Sequence, residues 1–262
     1  MIKIKSLLTL FTAFFIVVSI QAQKEITIES IYADYEFSAS YVYGLQSMSD
    51  GVSYTTLSRE GKLVKYSYKT GNEIETVFEL PADLNDKSIY EYFLSPDETR
   101  ILYSVDEEEK YRNSYYANYY ISNLKTGETQ LLFDRGKVEL AQFSPDGSKV
   151  AFVFENNLYY FDINISKVQQ ITTDGKWNYI INGAPDWVYE EEFGFNYGYQ
   201  WSPDSKKIAY YKFDESRVKM YNMTMYGELY PTWYSYKYPK AGEDNSVVTL
   251  HLFDLTKKNS IN

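Results

Sequence analysis

A short punctuation recurs along the chain and constrains the fold more than any bulk property does. LSPD at 94–97 precedes the alternating run RILYSV, FSPDG at 143–147 precedes KVAFVF, and WSPD at 201–204 precedes KIAYYKF. MSDG at 48–51, ahead of VSYTTL, is a weaker copy. Proline fixes φ for a tight turn, while Asp and Gly supply the side-chain bond and the φ freedom such a turn needs. The aspartates at 50, 97, 146 and 204 are spaced by 47, 49 and 58 residues, close to the roughly 40–50 residues of a propeller blade. Within each period a second strand ends in a further turn, at 68–71, 123–127, 162–166 and 254–257. Two turns per period describe a four-stranded antiparallel sheet. The expected fold is therefore all-β, a partial β-propeller of about four four-stranded antiparallel blades. Aromatic residues make up 18% of the chain, with 29 Tyr and 15 Phe, and such side chains favour a pleated surface. The last copy stops just after its strand with no return strand, as expected of a segment from a larger ring.

Charge and rare residues exclude several functions. With 26 basic against 36 acidic residues the net charge is -10, which repels phosphate backbones and argues against nucleic acid as a partner. No cysteine occurs, so disulfides, thiolate metal sites, a Cys nucleophile and a lipoprotein anchor are ruled out. The one histidine, His251, lies in the alternating run VVTLHLF and reads as a strand residue rather than a catalyst. No metal or cofactor is expected. At the N-terminus Lys3 and Lys5 precede a mostly apolar run over 7–20, followed by Gln21, Ala22 and Gln23. The run is shorter than the ~20 residues of a membrane-spanning helix, so 1–22 reads as a signal peptide cut after Ala22, with an uncleaved anchor as the alternative. Either way the folded part, 23–262, is expected outside the cytoplasm, secreted or periplasmic within the cell envelope, and without a stable membrane span after cleavage.

The chemistry concentrates in DWVYEEEF at 186–193. Three consecutive carboxylates, Glu190, Glu191 and Glu192, repel one another unless solvent or a cation offsets them. An acidic run alone reads as a solvated loop, but Trp187, Tyr189 and Phe193 around it argue for a packed segment. In one helical turn Glu191 and Glu192 converge, whereas in a strand they would face opposite sides. Two converging carboxylates suit an ammonium, with its three donors and full charge.

With FGFNYGYQWSPDSKKIAYYKFDES after this motif, YKYPKAGEDNSVVTLHLFDL further on and YRNSYYANYYISNL before it, the chain resembles the N-terminal propeller domain of dipeptidyl peptidase IV and its bacterial relatives, serine peptidases of the prolyl oligopeptidase type. The resemblance is weak over 24–90 and strong over 91–256. It implies an eight-bladed propeller, of which this chain is half, capping an α/β-hydrolase domain. It further implies that Glu191 and Glu192 bind the free amino terminus of a peptide and that Arg112 holds a substrate backbone carbonyl; Glu190, Trp187 and Tyr189 of the same run are read as supporting residues. The segment after the three glutamates is about one residue shorter than in the mammalian pattern.

Physical chemistry agrees with that assignment. An α-amino group titrates at about 7.7–8.0, and paired carboxylates favour its charged form. Two extended residues span roughly 7 Å, so anchoring the terminus selects which peptide bond meets a nucleophile. No G-x-S-x-G elbow occurs in the chain. The family's Ser, Asp and His belong to the hydrolase domain, so the chain alone is expected to be inactive. The expected function is substrate recognition in a secreted serine-type dipeptidyl aminopeptidase that releases X-Pro or X-Ala dipeptides, with peptide N-termini as partners and a homodimer of the intact protein allowed. The alternative is a non-enzymatic envelope propeller that binds peptides or partner proteins.

Overall fold

In the computed structural model, which describes residues 26–39, 42 and 44–261, the alternating runs pair as successive antiparallel sheets. The signal peptide expected over 1–22 lies outside the described residues. Residues 1–43 form one unit; its described part holds the short helix Ile28–Tyr32, opened by a reciprocal cap in which Thr27 and Ser30 each accept the other's backbone N–H. None of the described helices is long and apolar enough to cross a membrane.

The second unit, from Gly44 onward, carries the sheets. The first is β1 (Gln46–Ser47), β2 (Ser53–Leu57), β3 (Leu63–Ser67) and β4 (Glu73–Phe78). The second is β5 (Glu91–Leu94), β6 (Arg100–Glu109), β7 (Tyr115–Asn123) and β8 (Thr129–Leu131). The third is β9 (Glu139–Phe143), β10 (Lys149–Phe154), β11 (Asn157–Asp162) and β12 (Lys167–Gln170). In the fourth, β13 (Ile180–Asn182) and β14 (Tyr199–Trp201) both pair with β15 (Lys207–Asp214). A separate hairpin of β16 (Met220–Met225) and β17 (Thr232–Lys237) intervenes before β18 (Val247–Asp254) and β19 (Asn259–Ile261) complete the fourth sheet. These are the four expected blades. Three details depart from expectation: the fourth sheet has five strands rather than four, the β16–β17 hairpin interrupts it, and β19 is a short return strand, because Asp254 Oδ1 accepts the N–H groups of Thr256 and Lys257 and turns the chain back.

The recurring turns owe as much to serine as to Pro and Asp. Ser144 Oγ donates to Asp146 Oδ1 at 2.7 Å and accepts the Lys149 N–H at 3.0 Å, tying the turn to the strand it launches. Ser95 with Asp97 and Ser202 with Asp204 repeat this pattern. The hydrogen bond from the serine is the main reason the Asp97 and Asp204 carboxyls lie below their ordinary range. Among the three Ser-Pro-Asp turns glycine fills the left-handed position at Gly147, while Glu98 and Ser205 take φ of 55° and 57° in the other two.

Alternation along the strands builds the core, since successive side chains point to opposite faces. In β10, Val150 and Phe152 pack toward the second sheet beside Tyr119, Ile121 and Phe133, while Ala151 and Val153 pack toward the fourth beside Tyr199, Trp201 and Ile208. In β6, Ile101 and Tyr103 meet Leu63 of the first sheet, and Leu102 faces the third. The sheets therefore stack face to face in chain order, with an apolar layer between each pair.

Candidate functional site

Two insertions on different sheets meet to form the site. In the second sheet, β6 and β7 run on past a register shift between Val105 and Glu108. There Asp106 takes φ of 56° and is held by Lys87 at 3.0 Å. Such a bulge bends and re-aims the strand beyond it. The tip is a tight turn in which the Ser114 carbonyl accepts the N–H groups of Lys110 and Tyr111. Arg112 sits at this tip with its side chain 75% exposed.

The second insertion lies between β13 and β14 and contains the helix Trp187–Phe193. Asp186 caps it by accepting the Tyr189 N–H at 2.9 Å, an interaction worth ~1 kcal/mol. Asp186 also accepts the Ser246 hydroxyl. Gly194 ends the helix in the left-handed conformation, its N–H directed at the Glu190 and Tyr189 carbonyls. Tyr189 packs its ring 5.0 Å from Phe213, and Trp187 packs 5.0 Å from Tyr238 and 5.9 Å from Tyr236. These two aromatics set the helix orientation and are not displayed to a ligand as a pair.

The three glutamates then take three different environments, as steps of about 100° around a helix require. Glu190 is 1% exposed and its Oε1 accepts the Asn113 N–H at 2.8 Å. Glu191, with its side chain 18% exposed, places Oε1 2.7 Å from Arg112 Nη2. Glu192 is exposed and makes no ion pair among the described residues. The structure thus joins Arg112 to Glu191 and leaves Glu192 exposed. Of the acidic residues Glu107–Glu109 that lie close to Arg112 in sequence, Glu108 pairs with Lys137 at 3.3 Å instead. A cleft of about 410 Å³ adjoins the pair, lined in part by Tyr111, Arg112, Trp187 and Tyr234.

Beneath the tip lies a buried charge cluster that the sequence did not signal. Lys110 Nζ contacts both oxygens of Glu139, at 3.1 and 2.9 Å, and lies 5.3 and 5.5 Å from the ring centres of Tyr111 and Tyr116. Burial pushes the Glu139 carboxyl up, Lys110 opposes that shift, and the nearby Glu190 adds to it. Glu215, 5% exposed, is pushed up to about 7, first by burial and then by the charge of Asp186. Nothing in the local pattern distinguishes these acids from surface ones; only the sheet stacking encloses them. His251 is a sheet residue, its ring stacked 5.3 Å from Tyr210 and its Nε2 2.8 Å from Thr249 Oγ1.

The family model for the dipeptidyl peptidase IV (DPP IV) N-terminal region matches residues 95–262. The chain is 35% identical over 220 residues to dipeptidyl peptidase 4 of Trichophyton rubrum, covering 80% of this chain and 28% of that protein. It is also 35% identical over 226 residues to human prolyl endopeptidase FAP, covering 83% of this chain and 29% of that one. The crystal structure of Porphyromonas gingivalis dipeptidyl peptidase 4 superposes with a TM-score of 0.82 at 39% identity, over 91% of this chain and 35% of that chain. The chain therefore spans well under half the length of each relative.

Proposed function

The chain belongs to the dipeptidyl peptidase IV family through its N-terminal region, and from that premise we propose that it is the substrate-recognition part of a secreted serine-type dipeptidyl aminopeptidase. Glu191 and Glu192 receive the protonated amino end of a peptide, while Arg112 steadies Glu191 and offers its remaining donors to a substrate carbonyl. In the intact protein a nucleophilic serine with its His and Asp partners, in an α/β-hydrolase domain, cleaves after the second residue and releases X-Pro or X-Ala. Secretion follows in this reading from Lys3, Lys5 and the apolar run over 7–20.

The observation that carries the proposal is the 2.7 Å contact between Arg112 Nη2 and Glu191 Oε1, made between two sheets at an exposed guanidinium. An ion pair so open to water adds little to stability, so its worth lies in what it presents to a ligand. The test is calorimetric titration of the chain with Gly-Pro-Ala bearing a free or an acetylated amino end. Binding of the free peptide alone is expected, and equal affinity for the two would overturn the proposal. The non-enzymatic alternative predicts the same preference with no turnover of a Gly-Pro chromogenic amide by the intact protein.

A further inference from the structure

Glu190 is the one carboxylate of the acidic run that faces inward. Its Oε1 accepts the N–H of Asn113, the residue next to Arg112, at 2.8 Å, and its Oε2 is buried without a partner among the described protein groups. A buried acid that makes a single backbone bond and sits near a second buried acid, Glu139, is a poor device for stability, since an apolar side chain of similar volume fills such a position at less cost. What the bond does achieve is geometric. Adjacent residues of one helix grip adjacent residues of one turn: Glu190 holds the Asn113 N–H, and Glu191 holds the Arg112 guanidinium. Lys110 pins the same turn from its other side through Glu139.

We propose that Glu190 is a positioning residue of the site: by holding the Asn113 N–H it fixes Arg112 against Glu191, so that the carboxylate and guanidinium meet a peptide's amino end and first carbonyl in a set arrangement. The inference rests on the reading that this pair binds peptide amino termini. Arg112 has a long side chain that is mostly exposed, and a turn free to shift beneath it would add backbone ordering entropy to the cost of each binding event.

The experiment uses the whole chain and the Gly-Pro-Ala peptide with a free amino end. Glu190→Met keeps the volume and removes the acceptor, while Glu190→Gln keeps an acceptor for Asn113. Affinity is expected to fall about tenfold in Glu190→Met, the scale of a lost hydrogen bond to a charged group, and by less than about threefold in Glu190→Gln. Coupling supplies the readout that a merely structural role would not move: in an Arg112→Ala background, Glu190→Met should cause no further loss. Equal affinity of Glu190→Met and wild type, or the same fold loss with and without Arg112, would overturn the inference. Exchange of the Asn113 amide with solvent, followed by NMR without any ligand, should quicken in Glu190→Met and not in Glu190→Gln; an unchanged rate in Glu190→Met overturns the contact itself. A wild type that binds free and acetylated peptide alike sinks the recognition reading instead, whatever the amide does.

Discussion

Lys110 Nζ and Glu139 Oε2 lie 2.9 Å apart with side chains only 3% and 1% exposed, an ion pair sealed beneath the turn that carries Arg112. Breaking such a pair from one side leaves a bare buried charge. Lys110→Met should therefore cost ~3–5 kcal/mol, while Lys110→Met combined with Glu139→Leu should recover most of that loss. Urea denaturation of the three proteins measures it, and a double variant no more stable than the single one would contradict the account.

At the acidic helix, Glu191→Gln and Glu192→Gln should each lose ~1.5–3 kcal/mol of binding to peptides with a free amino end, the range for a hydrogen bond to a charged group. Arg112→Lys should also weaken binding, because a point-charge ammonium cannot bridge carboxylate and carbonyl as a planar fork does. The readout is affinity for the chain, or kcat/KM in the intact protein. Unchanged values in both glutamine variants would mean that the run is a solvated loop.

Glu215 gives a dependence on pH. Its carboxyl is pushed from 4.5 up to about 7 in the folded chain. Between those values the folded form holds the proton that the unfolded form has lost, so this residue's contribution to stability falls as pH rises through the window, by on the order of 3 kcal/mol. Glu215→Gln abolishes that loss. The stability of the variant relative to wild type should climb between pH 5 and pH 8 in denaturant titrations, and a constant difference would exclude the assignment.

Two glycines flank the tail of the insertion and should respond differently to the same change. A Cβ on Gly198 would lie 2.6 Å from the Gly183 carbonyl carbon and 2.7 Å from the Ala184 nitrogen. Gly198→Ala must move backbone and should cost several kcal/mol. Gly194, with φ of 61° and open space around it, should lose only ~1 kcal/mol when replaced by Ala. Thermal unfolding of the two variants orders them.

The blades were legible because their signal is local. A Ser-Pro-Asp turn, an alternating strand and a second turn are all satisfied within some forty residues, and the structure realises them at Asp97, Asp146 and Asp204. The pairing of Arg112 with Glu191 was approached only through the family resemblance, since 79 positions separate the two residues and no pattern in either segment points to the other. Glu190 illustrates the limit more sharply. Helical geometry says that it turns away from its neighbours, but not that it turns inward onto the Asn113 amide. The buried roles of Lys110, Glu139 and Glu215 had no sequence signal at all, because burial is decided by which sheet lies against which. The β16 and β17 hairpin was missed for another reason: its tyrosines and methionines alternate no differently from those of the neighbouring blade strands.

The contact between Arg112 and Glu191 spans from the second sheet to the fourth, with the third stacked between them. Whether its two ends meet at 2.7 Å therefore depends on two interlayer spacings at once, and the contact works as a vernier on the stack. A slight splaying of the layers around Phe152 or Val153 would be read out at the guanidinium, although neither residue approaches a ligand. In the proposed role, recognition of a chain end is in this sense calibrated by the packing of the whole segment, and drift in the core is expected to surface first as lost discrimination between peptides rather than as lost fold.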